Sequence, residues 1–135
     1  MAPPFRASSL ANAPPVPADA DLAWFSDHGL WGSIRRIAWS DGRLFEWSTE
    51  GEERHWNVDP RRVRKVIDAL SAERFWEWTT SDMPLPDEVK SELRVRTTDG
   101  VREVSLWAHD WRSGRAAWCR SLVDQLFDSP TGTDP

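Results

Sequence analysis

Residues 33–49, SIRRIAWSDGRLFEWST, form a β-hairpin pattern whose loop length decides the apolar face of the sheet. Asp41-Gly42 is a turn dipeptide, and glycine can take the left-handed backbone position that tight loops need. Successive strand side chains point to opposite faces, so a slip of one residue exchanges the faces. With a three-residue loop, Ser40-Asp41-Gly42, position 39 pairs with 43. Ile37, Trp39, Phe45 and Trp47 then share one face. A two-residue loop would split that set. The hydrophobic pattern therefore selects the longer loop and a half-buried antiparallel sheet.

Working outward, ERHWNV (53–58) alternates Trp56 and Val58 with polar residues, as a third strand would. A helix follows. Asp59 can cap it, Pro60 suits its first position, and Val63, Val66, Ile67 and Leu70 recur at helical spacing. Phe75, Trp76 and Trp78 lie at its end or just beyond. Residues 79–87 contain two prolines and form a connection. A second hairpin, SELRVRTTDGVREVSLW (91–107), suits a two-residue Asp99-Gly100 turn. That turn pairs Val95 with Val104, Leu93 with Leu106, and Arg96 with Glu103. A last helix runs from about Ser113 to Phe127, with Trp118, Cys119, Leu122 and Leu126 as its apolar stripe and Val123 and Phe127 beside it.

The fold class is therefore α+β: a single antiparallel sheet of about five strands, two hairpins plus one strand, with two helices packed on one face. The other face is partly solvated or kept for a partner. Residues 1–20, rich in Ala and Pro, form a flexible tail; 21–128 form one domain; 129–135 form a second tail.

At this point the layout resembles a known family. Gly29-Leu30-Trp31-Gly32 before the first strand, Phe75-Trp76 after the first helix, and a hairpin followed by the closing helix Arg115–Phe127 are similar to features of the emfourin-type inhibitors of thermolysin-like metalloproteases. The resemblance covers roughly residues 27–128 of a layout common among small bacterial domains. The family tends to have a doubled glycine at the first position, which Leu30 and Trp31 interrupt here. The resemblance implies an inhibitor-like role and assigns no inhibitory residue.

Bulk properties narrow the function classes. The chain has 135 residues, enough for one core, and a net charge of -5. That charge argues against nucleic acid as the partner and favours a protein partner that is basic or carries a basic site. A single cysteine, no long apolar run and no apolar signal segment suit a cytoplasmic protein that does not enter the membrane. Oligomeric state is not legible.

Catalytic patterns are absent from the sequence: no H-E-x-x-H, C-x-x-C, G-x-S-x-G or phosphate loop occurs, so no cofactor, metal or catalytic residue is implied. Cys119, on an apolar stripe, is expected as a buried thiol. The histidines His28, His55 and His109 are expected to be solvated or locally bonded, and neighbours such as His109 and Asp110 would point apart on a strand. Glu46 and Glu77 sit among tryptophans.

What stands out is 10 tryptophans and no tyrosine. Trp39, Trp76 and Trp118 fall on apolar faces and are expected in the core. Trp24, Trp31, Trp107 and Trp111 lie in connections, where exposed indoles serve as binding hot spots. Together with His109 and Asp110 they form the candidate protein-binding rim. Arg61, Arg62, Arg64 and Lys65 form a candidate phosphate patch. The expected function is a non-catalytic, inhibitor- or immunity-like protein-binding module. The alternatives are a small-ligand or carbohydrate binder using exposed indoles, and a nucleic-acid adaptor using the basic patch.

Overall fold

The computed structural model of the chain describes residues 13–27, 32–79 and 89–128. It contains β1 (Leu22–Asp27), β2 (Ser33–Ala38), β3 (Arg43–Ser48), β4 (Glu53–Asn57), α1 (Pro60–Ala72), β5 (Lys90–Thr97), β6 (Gly100–Trp107) and α2 (Gly114–Phe127). Short 3-10 turns at Phe75–Glu77 and Asp110–Arg112 follow α1 and β6. The class is α+β with one antiparallel sheet of six strands, in the order β4-β3-β2-β1-β5-β6.

The strand beyond the expected five is β1, and it is central. It pairs antiparallel with β2 on one side and with β5 on the other, so it joins the two hairpins into one sheet. Its sequence, LAWFSD, is apolar on both faces and lacks the alternation that marks a half-buried strand. Leu22 and Trp24 face the helices, while Ala23 and Phe25 face away, and all four are buried.

The first hairpin closes as the sequence predicts. Trp39 N–H donates to the Arg43 carbonyl at 3.0 Å, and Ile37 pairs with Phe45. Gly42 has φ +101, and a Cβ there would lie 2.3 Å from the Val58 carbonyl oxygen, so only glycine fits. The second hairpin differs from the Asp99-Gly100 expectation. Thr97 pairs with Gly100, the loop is Thr98-Asp99, and Leu93 pairs with Val104 rather than Leu106. Glu103 therefore meets Arg94, at 3.2 Å, rather than Arg96. The Thr97 hydroxyl closes this turn, donating to the Gly100 carbonyl at 2.8 Å and accepting from Asp99 N–H at 3.1 Å. The shift is by two residues, so the buried face is unchanged.

Both helices pack on the face that carries Leu22, Trp24, Ala38, Leu44, Trp56, Leu93, Val95 and Leu106. α1 begins as expected, with the Asp59 carboxylate accepting from Arg61 N–H at 2.9 Å and Pro60 in the first turn. The Ile37, Phe45 and Trp47 set lies on the opposite face. There it forms a second, smaller cluster with Ala20, against which Ala13, Val16 and Trp39 pack. Residues 13–20, assigned by composition to the tail, lie along this face. Arg35 Nε donates to the Pro14 carbonyl at 3.2 Å, Trp39 Nε1 donates to Asp19 at 2.9 Å, and Arg96 donates to the Ala18 carbonyl. The sheet is thus buried on both faces around its centre. No helix among the described residues is long and apolar enough to cross a membrane.

Candidate functional site

The six residues of the expected rim separate into three groups. Trp24 and Trp111 are core, 2% and 1% exposed, which corrects their reading as surface anchors. Their rings meet edge-on at 4.9 Å, and Trp111 Nε1 donates to the Ser91 carbonyl at 3.1 Å. The cause is local: β1 carries Trp24 onto the helix-facing side, and the 3-10 turn after β6 rolls Trp111 beneath it. Trp31, like His28, lies outside the described residues.

Trp107, His109 and Asp110 remain, half-buried, at the end of β6. The Lys90 ammonium sits 4.9 Å from the Trp107 ring centroid. His109 Nε2 lies 3.5 Å from Asp110 Oδ1. Strand neighbours would diverge, but His109 already has helical backbone angles, φ -69 and ψ -27, which bring the pair to one side. A shallow cavity of about 450 Å³ beside them is lined by Glu77, Trp78, Asp110 and Arg115. Its charged walls are held in ion pairs: Glu77 with Arg74 at 2.6 Å, and Arg115 with Glu73.

The groups with chemical potential are tied into the framework. Burial pushes the Cys119 thiol up to about 11, with the Glu73 charge adding to it, so it stays protonated near neutral pH. Glu46 is bonded by both oxygens, to Arg36 at 2.7 Å and to Arg54 at 2.8 Å. Arg36 continues to Asp124 at 2.8 Å, and Arg54 donates to the Phe127 carbonyl at 3.3 Å. This chain of charges fastens the last turn of α2 to β2, β3 and β4. Among the described residues no three His, Cys, Asp or Glu side chains gather as a metal would require.

The expected phosphate patch also divides. Arg61 folds back on the capping carboxylate at 2.8 Å, and its hydrogen bonds and charge hold the Asp59 carboxyl down at about 2. Arg64 reaches toward the Ser40 carbonyl at 3.5 Å. Arg62 and Lys65 line a groove between α1 and α2 instead.

That groove is the site the sequence misses. It has a volume of about 400 Å³ and an apolar floor of Val66, Ala69, Leu122 and Leu126, with Trp118 at its flank. Trp118, expected in the core, is 44% exposed. Each helical residue turns by about 100°. The buried arc of α2 is Cys119, Val123, Leu126 and Phe127, and Trp118 lies on roughly the opposite flank from Phe127. The signal was available: Trp118 shares its side of the helix with the polar residues Arg115, Ser121 and Gln125. Arg115 sits 5.4 Å from the Trp118 ring centroid while its charge is met by Glu73. Comparison with protein-family models, curated proteins and solved structures returned no match.

Proposed function

We propose that the chain is a non-catalytic protein-binding module of inhibitor or immunity type, working in the cytoplasm. The observation that supports this reading is Trp118, an indole held in water at the flank of an apolar groove. Leaving a large aromatic surface exposed forgoes burial that would stabilise the fold, and such residues recur as interface anchors. Cys119 is sealed in the core and Glu46 is held by two arginines, so neither presents a reactive group at this groove. The resemblance to emfourin-type inhibitors accords with this role.

The test is capture from native lysate with the tagged parent chain and with Trp118→Ala, followed by titration of the captured protein's activity. One near-stoichiometric protein, lost in the variant and losing activity as the parent chain is added, is the expected result. An empty capture at low salt would defeat the reading. A capture with no dependence on Trp118 would move the interface to the Trp107, His109 and Asp110 end of the sheet.

A further inference from the structure

We infer that the sheet face opposite the helices is a docking surface for an extended, proline-containing segment of a partner protein, and that residues 13–20 occupy it in cis as a strap which that segment displaces. This surface lies across the sheet from Trp118 and is independent of the groove.

The seated segment defines the chemistry of the occupant. Residues 14–17 are Pro-Pro-Val-Pro. Each proline fixes its own φ at about -65° and biases the residue before it toward extended backbone, so 13–17 run as an extended chain. Proline also lacks an N–H, so the segment is unsuited to join the sheet as a strand. Accordingly, among the described residues no backbone hydrogen bond joins 13–19 to the sheet. Ala13 and Val16 instead pack their side chains against the cluster of Ile37, Phe45 and Trp47. They stand one polyproline turn apart, so one side of the segment meets the sheet while Pro15 and Pro17 stay exposed.

The face offers donors to a backbone of this kind. Arg35 Nε donates to the Pro14 carbonyl at 3.2 Å, and Arg96 donates to the carbonyls of Ala18 and, at 3.4 Å, Ala20. The Arg35 guanidinium lies 4.9 Å from the Phe25 ring centroid. Aromatic surfaces receive proline-rich segments because that conformation is preformed and costs little entropy to bind. Bonds to carbonyls read backbone rather than side chains, so a partner's segment can take them over.

The strap fills this surface incompletely. A cavity of about 40 Å³ remains beside Val16, lined also by Ala23, Arg35 and Leu93. A side chain larger than valine would gain contacts there. The strap is also lightly held. Pro15, Pro17, Ala18 and Asp19 are exposed, and the Asp19 carboxylate meets Trp39 Nε1 at 2.9 Å and Arg43 at 3.9 Å in water, where such contacts contribute little. A partner segment with isoleucine at the Val16 position gains what the strap lacks, and this offsets the advantage that tethering gives the strap.

The experiment uses the full chain and a labelled synthetic peptide of residues 13–21, titrated to about 1 mM, the range of a short tether's effective concentration. A second peptide carries Val16→Ile, and a third has alanine for every proline. Each is added to the parent and to the full chain carrying Val16→Asp with Asp19→Ala, which loosens the strap and leaves the sheet unaltered. Binding is read by polarisation and by the Trp39 indole N–H resonance, assigned with Trp39→Phe. The loosened chain should bind the native peptide at least about tenfold more tightly than the parent does. Binding should return the Trp39 resonance toward its parental position. The Val16→Ile peptide should bind more tightly than the native one, and the proline-free peptide more weakly.

No binding to the loosened chain, equal binding to both chains, or equal binding of the native and proline-free peptides would overturn the inference. Loss of the far-ultraviolet circular dichroism of the loosened chain would overturn it too, by making 13–20 part of the core. A parent dimer that dissociates in the loosened chain, seen by sedimentation, would assign the face to a second copy and overturn the partner assignment. The binding-module reading fails separately. An empty lysate capture defeats that reading and leaves the peptide result standing, while Trp118-dependent capture without peptide binding defeats this inference alone.

Discussion

Trp111 and Trp118 lie seven positions apart and should respond differently to truncation. Trp111 is 1% exposed, meets Trp24 at 4.9 Å and Trp78 at 6.4 Å, and donates its indole N–H to Ser91. Trp111→Ala removes all of these and leaves a closed cavity beneath β6. Truncating a buried aromatic costs about 3–5 kcal/mol, and loss of the bond to Ser91 puts this case toward the upper end. A domain of this size is stable by about 5–15 kcal/mol, so the variant would retain a marginal fold. Trp118 is 44% exposed, and its removal widens an open groove that water can enter. Trp118→Ala should cost about 1–2 kcal/mol, in line with its partial burial. The assay is urea unfolding followed by far-ultraviolet circular dichroism, because the many indoles confuse fluorescence. Equal slopes with denaturant would show that only stability has changed. A difference below about 1 kcal/mol between the two variants would refute the division of the tryptophans into core and groove.

Three further outcomes follow from the site geometry. The Asp59 carboxyl is held near 2, below its ordinary 3.8, so its contribution is present above the ordinary value and lost as pH falls toward 2. Thermal melts across that window should fall less steeply for Asp59→Ala than for the parent, and parallel profiles would refute the cap's role. The Cys119 thiol is raised from 9.0 to about 11, so stability should be full below pH 9 and decline as pH rises through 11. A thiol reagent at pH 8 should label Cys119 only as urea unfolds the chain, and rapid labelling of the native protein would contradict its burial. A double-mutant cycle on Arg94 and Glu103 should show coupling of about 0.2–1 kcal/mol, while Arg96 and Glu103 should show none. The reverse result would restore the Asp99-Gly100 turn.

Legibility depended on whether a pattern distinguished alternatives that differ by one residue or by two. In the first hairpin the alternatives differed in parity, and only one kept Ile37, Trp39, Phe45 and Trp47 together, so the loop could be chosen. In the second, the two registers differ by two residues and bury the same side chains. Hydrophobicity cannot separate them, and the Thr97 hydroxyl decides. β1 escaped because a strand buried on both faces has no period to detect. Without β1, the sequence pattern puts Trp24 in a connection rather than on a buried strand. The face opposite the helices is covered by the segment 13–20, whose composition reads as a tail and which is held by bonds from Arg35, Trp39 and Arg96.

The candidate site was hidden for a different reason. On α2 the apolar arc in sequence is wider than the arc that α1 and the sheet can cover, and the surplus is Trp118 with part of Leu122. Sequence spacing gives the width of the arc; only the position of the neighbouring helix gives how much is covered. The same limit applied to charge. A net charge of -5 predicts a basic partner, yet it averages acids on the loops and hairpins with the cations of α1. Arg61 is bonded to Asp59, Asp68 lies on another flank of α1, and Arg62 and Lys65 line the groove. Screening makes that local arrangement govern the contact. A contact on this face is therefore set by the residues that line it rather than by the composition of the chain.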